Sequence, residues 1–144
     1  MGKPYIINGG IYSDNRGSLK YVNDFSLAKV KRFYSISMSP ESEPRAWQGH
    51  KEEIKYFYCV KGSFIINLVK IDNWENPNTN LDVESFFLSE NKSEILVIPG
   101  GYANGIKAKE QESQLLVFSE KTINESEIDE QKYESALWIN WEKV

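Results

Sequence analysis

The stretch IKYFYCVKGSFIINLVKI, residues 54–71, decides how this chain folds. It consists of two runs of aromatic, aliphatic and β-branched residues, 54–60 and 63–71, divided by Lys61-Gly62. Residue types that fit a pleated surface predict two β-strands, and the short break with its glycine predicts a hairpin between them. Helical periodicity is weak here and along most of the chain, so strands are the expected elements.

The first of these runs carries information about its surroundings. Alternate residues of a strand face opposite sides of a sheet, and Lys55, Phe57 and Cys59 share one side. The other side is formed by the aliphatic and tyrosine residues between them. Because both sides are largely apolar, we expect the interior of a barrel to cover one and a second subunit or another sheet to cover the other. The sequence therefore predicts a homodimer.

Similar short runs, separated by Gly, Pro, Asn and Ser, predict strands elsewhere. The additional expected strands are 5–8, 18–22, 32–37, 83–88, 94–98, 106–109 and 113–118. Asn104-Gly105 is a strong signal for a two-residue turn, and the Asn-rich segment 72–82 predicts a long loop. The charged segment 125–138 predicts a short C-terminal helix, followed by a tail that packs back on the barrel. So many short strands predict an all-β barrel or sandwich.

The size and composition bound the class of protein. The 144 residues fit a single domain spanning 1–144, and 40% hydrophobic with 26% charged residues is a globular composition. No apolar run approaches the roughly 20 residues of a membrane span, and the N-terminus lacks the apolar stretch of a secretory signal. Cys59 is the single cysteine, which excludes a disulfide framework within the chain. We therefore expect a cytoplasmic protein.

Charge and metal-ligand counts exclude further classes. The net charge of −4, without a basic stripe, argues against a nucleic-acid binder. His50 is the single histidine, which removes metal sites that need two or more imidazoles, and one thiol cannot build a structural zinc site. We expect the chemistry to use no metal and no cofactor.

Several short motifs are distinctive when they are read together. They are Asp14-Asn15-Arg16-Gly17, Lys31-Arg32-Phe33-Tyr34, Arg45-Ala46-Trp47-Gln48-Gly49-His50-Lys51, and Leu88-Ser89-Glu90-Asn91-Lys92 followed by Ile98-Pro99-Gly100-Gly101-Tyr102-Ala103-Asn104-Gly105. Their order and spacing resemble the cupin-fold nucleotide-sugar isomerases, which include the 3,5-epimerases of dTDP-linked 4-keto-6-deoxyhexoses and the related, WxcM-like 3,4-ketoisomerases. The ending at residues 137–141 also resembles that of the epimerases. The resemblance covers nearly the whole chain and implies a cupin jelly-roll barrel.

The departures from the family patterns bear on the activity. The resemblance places Gln48 where the epimerases have their general-base histidine, and Asn104 where they have another histidine. Segment 119–124, which would carry their general-acid tyrosine, contains none. The second histidine of the ketoisomerase motif is present as His50 and is followed by Lys51. The resemblance therefore favours a ketoisomerase-like site.

Moving a keto group requires a base that removes the proton beside the carbonyl and a partner for the developing oxyanion. His50 is the one side chain whose ordinary pKa suits that base, so we expect it to be catalytic. Lys55 shares an apolar strand face, where a charge is costly without a task, and is expected to stabilise the enolate oxygen or contact sugar hydroxyls. Tyr34 matches a ketoisomerase tyrosine and is expected to donate a proton to a sugar oxygen.

Four further residues are expected to bind the substrate. Arg45 is a candidate for a forked contact with a diphosphate oxygen or the sugar, and Arg16 is a second candidate for the phosphate. Gln48 and Asn104 are candidates for contacts with sugar hydroxyls. Each assignment has a structural alternative. The alternatives are a structural or surface histidine at 50, a strand-end lysine reaching solvent at 55, a buried structural tyrosine at 34, ion pairs of Arg16 with Asp14 and of Arg45 with Glu43, and a turn asparagine at 104. Glu134, where the epimerases place a carboxylate, is expected to be surface charge.

Two functions follow from these residues. The first is an isomerase or epimerase-like enzyme that acts on a dTDP-linked 4-keto-6-deoxyhexose by metal-free proton transfer, in the supply of sugars for surface polysaccharides. The alternative is a non-catalytic cupin that binds a sugar or nucleotide sugar, favoured by the family histidines that are replaced here. A metal-dependent cupin is disfavoured because the segment from Gln48 to His50, with Asn104, supplies a single imidazole.

Overall fold

A computed structural model describes residues 2–144, and nearly all of its regular structure is antiparallel β. Within these residues the strands are β1 (Tyr5–Asn8), β2 (Gly10–Asp14), β3 (Gly17–Tyr21), β4 (Arg32–Met38), β5 (Arg45–His50), β6 (Lys55–Lys61), β7 (Ser63–Lys70), β8 (Glu84–Ser89), β9 (Glu94–Ile98), β10 (Tyr102–Ala108), β11 (Ser113–Ser119) and β12 (Glu130–Lys132). The helical segments are α1 (Ile123–Asp129) and a 3-10 turn, η1 (Trp141–Lys143). No helix in this part of the chain combines the length and the hydropathy needed to cross a bilayer.

Two five-stranded sheets form the body of the molecule. The first has the strand order β1-β9-β6-β11-β4, and the second has the order β12-β5-β10-β7-β8. Strands β2 and β3 pair only with each other and form a separate hairpin. The architecture confirms the predicted all-β cupin jelly roll with one short helix.

The apolar core lies between the sheets because alternate residues of the facing strands point inward. Phe57 and Leu115 come from the first sheet and Phe64 and Ile66 from the second, and all four are fully buried. Lys55 and Cys59 lie on the same inward side of β6 as Phe57, as the alternation predicted. The charged end of Lys55 therefore enters an interior that is otherwise largely apolar.

A second apolar cluster covers the outer face of the second sheet. Trp47 of β5 and Trp141 of η1 are its largest buried members, with ring centroids 5.5 Å apart. The indole nitrogens of both donate hydrogen bonds to the carbonyl of Ser135, at 3.0 Å and 2.8 Å. The C-terminal tail thus packs back on the barrel, as the sequence indicated.

The predicted hairpin at Lys61-Gly62 is wrong. Strand β6 belongs to the first sheet and β7 to the second, so these residues carry the chain from one sheet to the other. Gly62 has a φ of 72°, and a Cβ built on it would lie 2.1 Å from the Ser113 hydroxyl oxygen. Glycine is required there by the backbone conformation and by this close approach, which a hairpin signal does not distinguish.

The predicted turn at Asn104-Gly105 is also wrong. Both residues are buried in the middle of β10, between β5 and β7. A Cβ on Gly105 would lie 2.6 Å from the Trp141 ring, so glycine serves close packing at this position.

The remaining differences concern element boundaries. Strands β2 and β5 were not expected as strands, and the helix expected within 125–138 is confined to α1 and followed by β12. Helix α1 begins at a capping box in which the Thr122 hydroxyl accepts from the Glu125 amide and the Glu125 carboxylate accepts from the Thr122 amide. Strand β12 then pairs with β5 and forms the edge of the second sheet.

Candidate active site

A cavity of about 770 Å³ opens at one end of the barrel. Its walls come from β4, β5, β6 and β10, and α1 and β12 close one side. The polar and charged side chains that line it are Arg32, Tyr34, Glu43, Arg45, Gln48, Lys55, Asn104, Ser126, Glu127, Glu130 and Lys132, and the apolar ones include Ile36, Phe57 and Ile106. Its mixed lining and its size suit a ligand that carries both charge and apolar surface.

Five of the residues singled out in the sequence line this cavity. They are Tyr34, Arg45, Gln48, Lys55 and Asn104. The strand register explains why they meet, since Asn104 of β10 lies opposite Gln48 of β5. Side chains from neighbouring strands that point inward at the same level converge on one space.

Lys55 is the central cation of the site. Lys55 is 3% exposed, and its Nζ donates a hydrogen bond of 3.1 Å to Oε1 of Gln48. The Gln48 amide in turn donates from Nε2 to Oε1 of Glu130. Burial lowers the pKa of Lys55 to about 8, although the negative charges of Glu53 and Glu130 act in the opposite direction. The ammonium is therefore retained at neutral pH and lost in mildly alkaline solution.

His50 lies beside the cavity and is 3% exposed. Its Nε2 is 3.4 Å from the Ser126 hydroxyl and 3.3 Å from Oε1 of Glu53. Ser126 lines the cavity, whereas the His50 ring does not, so the hydroxyl connects the ring to that space. Burial and the Lys55 charge hold the pKa of His50 below its usual range, which leaves the imidazole neutral at pH 7 and able to accept a proton.

Glu53 supports His50 from inside the protein. Its side chain is fully buried, and Oε2 accepts a hydrogen bond of 2.8 Å from Ser119 and lies 3.4 Å from the Arg32 guanidinium. The loop that follows β5 is fixed by Asp129, whose carboxylate accepts from the backbone amides of residues 51, 52 and 53 at 2.9–3.0 Å. The contacts of α1 with this loop thus set the position of the imidazole.

Tyr34 and Arg32 form one wall of the site. The guanidinium carbon of Arg32 lies 5.0 Å from the centre of the Tyr34 ring, a cation–π contact. Burial raises the pKa of Tyr34, so its phenol stays protonated at neutral pH. The hydroxyl can therefore donate a proton or a hydrogen bond.

Arg16 lies away from the cavity of its own chain. It sits at the turn between β2 and β3, its side chain is 82% exposed, and its Nε donates to Asp14 at 3.1 Å. This contact lowers the pKa of Asp14. The arrangement matches the alternative ion pair of Arg16 with Asp14. Glu134 is exposed, as expected of surface charge.

Sequence reasoning missed Ser126 and Glu130, which line the cavity, and Glu53, which contacts His50. The first two lie in a charged segment whose pattern does not distinguish cavity residues from solvated ones. For Glu53 a weak signal was available, because it is an acidic residue three positions after His50, the candidate base. Burial, which separates Glu53 from its exposed neighbour Glu52, arises only in the folded chain.

The fold is that of a cupin, with a cavity of mixed polar and apolar lining inside the barrel. Residues 5–138 match the family model FdtA, described as WxcM-like, C-terminal, and the chain belongs to this family. The resemblance inferred from the sequence motifs is confirmed by this match.

Relatives and solved structures agree with this assignment. The chain is 28% identical over 113 residues to the "Probable low-salt glycan biosynthesis epimerase Agl13" of Haloferax volcanii, covering 74% of this chain and 70% of the relative. A 3,4-ketoisomerase from Helicobacter canadensis is 26% identical, with a TM-score of 0.65 over 85% of this chain and 87% of its own. QdtA, a 3,4-ketoisomerase from Thermoanaerobacterium thermosaccharolyticum solved as a mutant with TDP-4-keto-6-deoxyglucose, shares the fold at 20% identity, with a TM-score of 0.71 over 92% and 89%.

Proposed function

We propose that this protein is an isomerase of a nucleotide-linked 4-keto-6-deoxyhexose, with a dTDP sugar as substrate, that works by metal-free proton transfer and supplies sugars for surface polysaccharides. The observation that carries the proposal is the buried ammonium of Lys55 inside a β-walled cavity, with the neutral imidazole of His50 beside it. An oxyanion partner and a base are the parts that enolisation requires. The names of the relatives, which are ketoisomerases and a glycan epimerase, support the same reaction class.

His50 is the base of the proposed reaction. It takes the proton from the carbon beside the ketone. The Ser126 hydroxyl, which lies 3.4 Å from Nε2, connects the imidazole to the cavity. Lys55 holds the oxygen on which negative charge develops, and Tyr34 donates a hydrogen bond to a sugar oxygen. Because the protonated imidazole forms in a buried place, the adjacent carboxylate of Glu53 stabilises it.

The substrate is bound by the polar residues around this centre. Arg45 at the cavity rim contacts the diphosphate, and Gln48 and Asn104 contact the sugar hydroxyls. Arg16 contacts the diphosphate only across a homodimer, because it does not line the cavity of its own chain. The hairpin that carries it exposes Tyr12 and Leu19, which supports a second copy of the chain as the partner that covers them.

A second candidate function is a non-catalytic cupin that binds a nucleotide sugar. The observation that favours it is the position of His50, whose ring does not line the cavity. In that case Gln48 and Asn104 would serve binding alone.

The test is incubation with TDP-4-keto-6-deoxyglucose in deuterated water, followed by NMR. We expect deuterium at C3 of the recovered 4-keto sugar and formation of a 3-keto product, and we expect His50→Asn to slow both by about 100-fold or more, the usual contribution of a general base. Glu134→Gln, at an exposed position, is the matched control and should behave as wild type. Binding of the sugar without exchange or product would instead establish the non-catalytic function.

A further inference from the structure

The carboxylate of Glu130 has surroundings unlike those of the other acids in the cavity wall. Glu43 and Glu127 also line the cavity, but both are exposed to solvent. Glu130 is partly buried and accepts a hydrogen bond from the side-chain amide of Gln48. Its backbone is held by the pairing of β12 with β5, in which Glu130 lies opposite His50. The acid is therefore fixed next to the proposed centre of reaction.

Gln48 fixes the relation between this acid and Lys55. Its Oε1 accepts from the Lys55 ammonium at 3.1 Å, and its Nε2 donates to Glu130. An amide in this position cannot accept a proton at neutral pH, but it can hold a cation at one end and an anion at the other. Lys55 and Glu130 therefore lie on either side of Gln48 in the cavity wall, each joined to it by one hydrogen bond.

We propose that Glu130 is a further catalytic residue, which carries the oxygen-bound proton of the reaction while His50 carries the carbon-bound one. This inference rests on the proposed function. The Glu130 carboxylate takes the proton from the hydroxyl on C3 and returns it to the oxygen on C4, which Lys55 has held as an oxyanion. The role rests on the hydrogen bond between this carboxylate and Gln48, which occupies the position where the resemblance places a histidine.

The proton and electron balance closes within the sugar. The C3–H and O3–H bonds break, the C4–H and O4–H bonds form, and the carbonyl moves from C4 to C3. The electron pair of the broken C3–H bond forms the enediolate double bond and then the new C4–H bond. Two protons are redistributed and no outside oxidant or reductant is needed. Loss of the oxygen carrier should therefore stop keto transfer without stopping exchange at C3.

The experiment compares two readouts in Glu130→Gln, measured with TDP-4-keto-6-deoxyglucose in deuterated water. Deuterium entering C3 of the unreacted 4-keto sugar reports the step of His50, and the 3-keto product reports complete isomerisation. We expect product formation to fall by about 100-fold while exchange at C3 stays within about 3-fold of wild type. His50→Asn should lose both readouts, and Glu134→Gln, an exposed acid in the same segment, should lose neither.

Glu130→Asp tests the carboxylate against a merely structural role. It keeps the acid at a shorter reach, so its product formation should lie between those of Glu130→Gln and wild type, with TDP binding by calorimetry unchanged in all three proteins. Product formation by Glu130→Gln within about 3-fold of wild type overturns the inference. Equal loss of exchange and product in that variant, or an Asp variant no better than the Gln variant, does the same. A wild-type protein that binds the sugar but gives neither readout overturns the proposed function and this inference with it.

Discussion

Lys55 brings a charge into a part of the barrel where its strand neighbours Phe57 and Cys59 are buried and apolar. A buried ammonium is costly unless it is paired, and here Gln48 supplies one hydrogen bond. The same burial that makes it costly in the resting protein makes it effective against a developing oxyanion, because the local dielectric constant is low. The residue that sequence alternation placed on an apolar face is thus suited to stabilise an enolate.

The pH dependence of activity should follow the charge of this residue. Burial lowers the pKa of Lys55 to about 8, so the protonated amine predominates below that pH and the neutral amine above it. We expect kcat/KM for isomerisation to fall as the pH rises through about 8 and to lose about tenfold for each further unit. Lys55→Arg keeps its charge at high pH, so whatever activity it retains should show no such fall. A wild-type rate that stays level up to pH 10 would contradict this assignment.

His50, the proposed base, illustrates how neighbours set the protonation state of a buried group. The Glu53 carboxylate favours its protonated form, but burial and the Lys55 charge oppose it and hold the pKa below its usual range. The imidazole is therefore neutral at pH 7, which is the state that the proposed base requires. In the proposed reaction the fully buried Glu53 would stabilise the imidazolium that forms.

Among the elements, α1 and β12 contribute more to the site than their length indicates. Helix α1 has seven residues, yet it carries Ser126 to the cavity and Asp129 to the loop after β5. Strand β12 has three residues and holds Glu130 beside Gln48. Such short elements have little stability alone, so their positions depend on pairing and capping.

Strand β10 links the cavity to the C-terminal tail. Asn104 lines the cavity, and the next residue, Gly105, lies against the ring of Trp141 on the opposite face of the sheet. Because a Cβ would approach that ring to 2.6 Å, any larger residue must displace Trp141 or bend the strand.

Gly105→Ala should therefore destabilise the protein by about 1–3 kcal/mol, the usual cost of overpacking. Urea unfolding followed by tryptophan fluorescence measures this, and the native emission should shift because Trp141 moves. Gly2→Ala is the control, since a Cβ there would meet no atom within 4 Å. A Gly105→Ala protein as stable as wild type would show that the tail adjusts without cost.

At the scale of the whole molecule, the hairpin formed by β2 and β3 is not hydrogen-bonded as a strand to either five-stranded sheet. Its strands pair only with each other, and Ile11, Tyr12 and Leu19 are exposed on it. The outer side of β6 is only partly covered, with the Tyr56 ring packed 5.0 Å from that of Phe25. Exposed apolar residues in such numbers are typical of an interaction surface.

We predict that the protein is a homodimer and that the hairpin forms its interface. Wild type should sediment with twice the chain mass of 16.6 kDa. The double variant Tyr12→Lys with Leu19→Lys should sediment as a monomer, because a dimer would bury the two new charges. Ile128→Lys, an exposed change on α1, is the control and should leave the dimer intact. Monomeric wild type at micromolar concentration would disprove the prediction.

The amino-acid order was sufficient for the fold class, for most of the strands and for five residues of the cavity wall. Alternation along a strand is a local property, so it placed Lys55 on the inward side, and the motifs named Tyr34, Arg45, Gln48 and Asn104. Local signals also predicted turns at Gly62 and Gly105, where the glycines serve a sheet crossing and a packed ring.

The partners of those residues depended on the complete fold. Ser126 and Glu130 come from α1 and from β12, and nothing in their own segments distinguishes them from solvated polar residues. They meet His50 and Gln48 because the two sheets close around one core and the chain beyond β11 returns to the edge of β5. Contacts between segments more than 70 residues apart follow from the packing of the whole chain, which a local pattern does not contain.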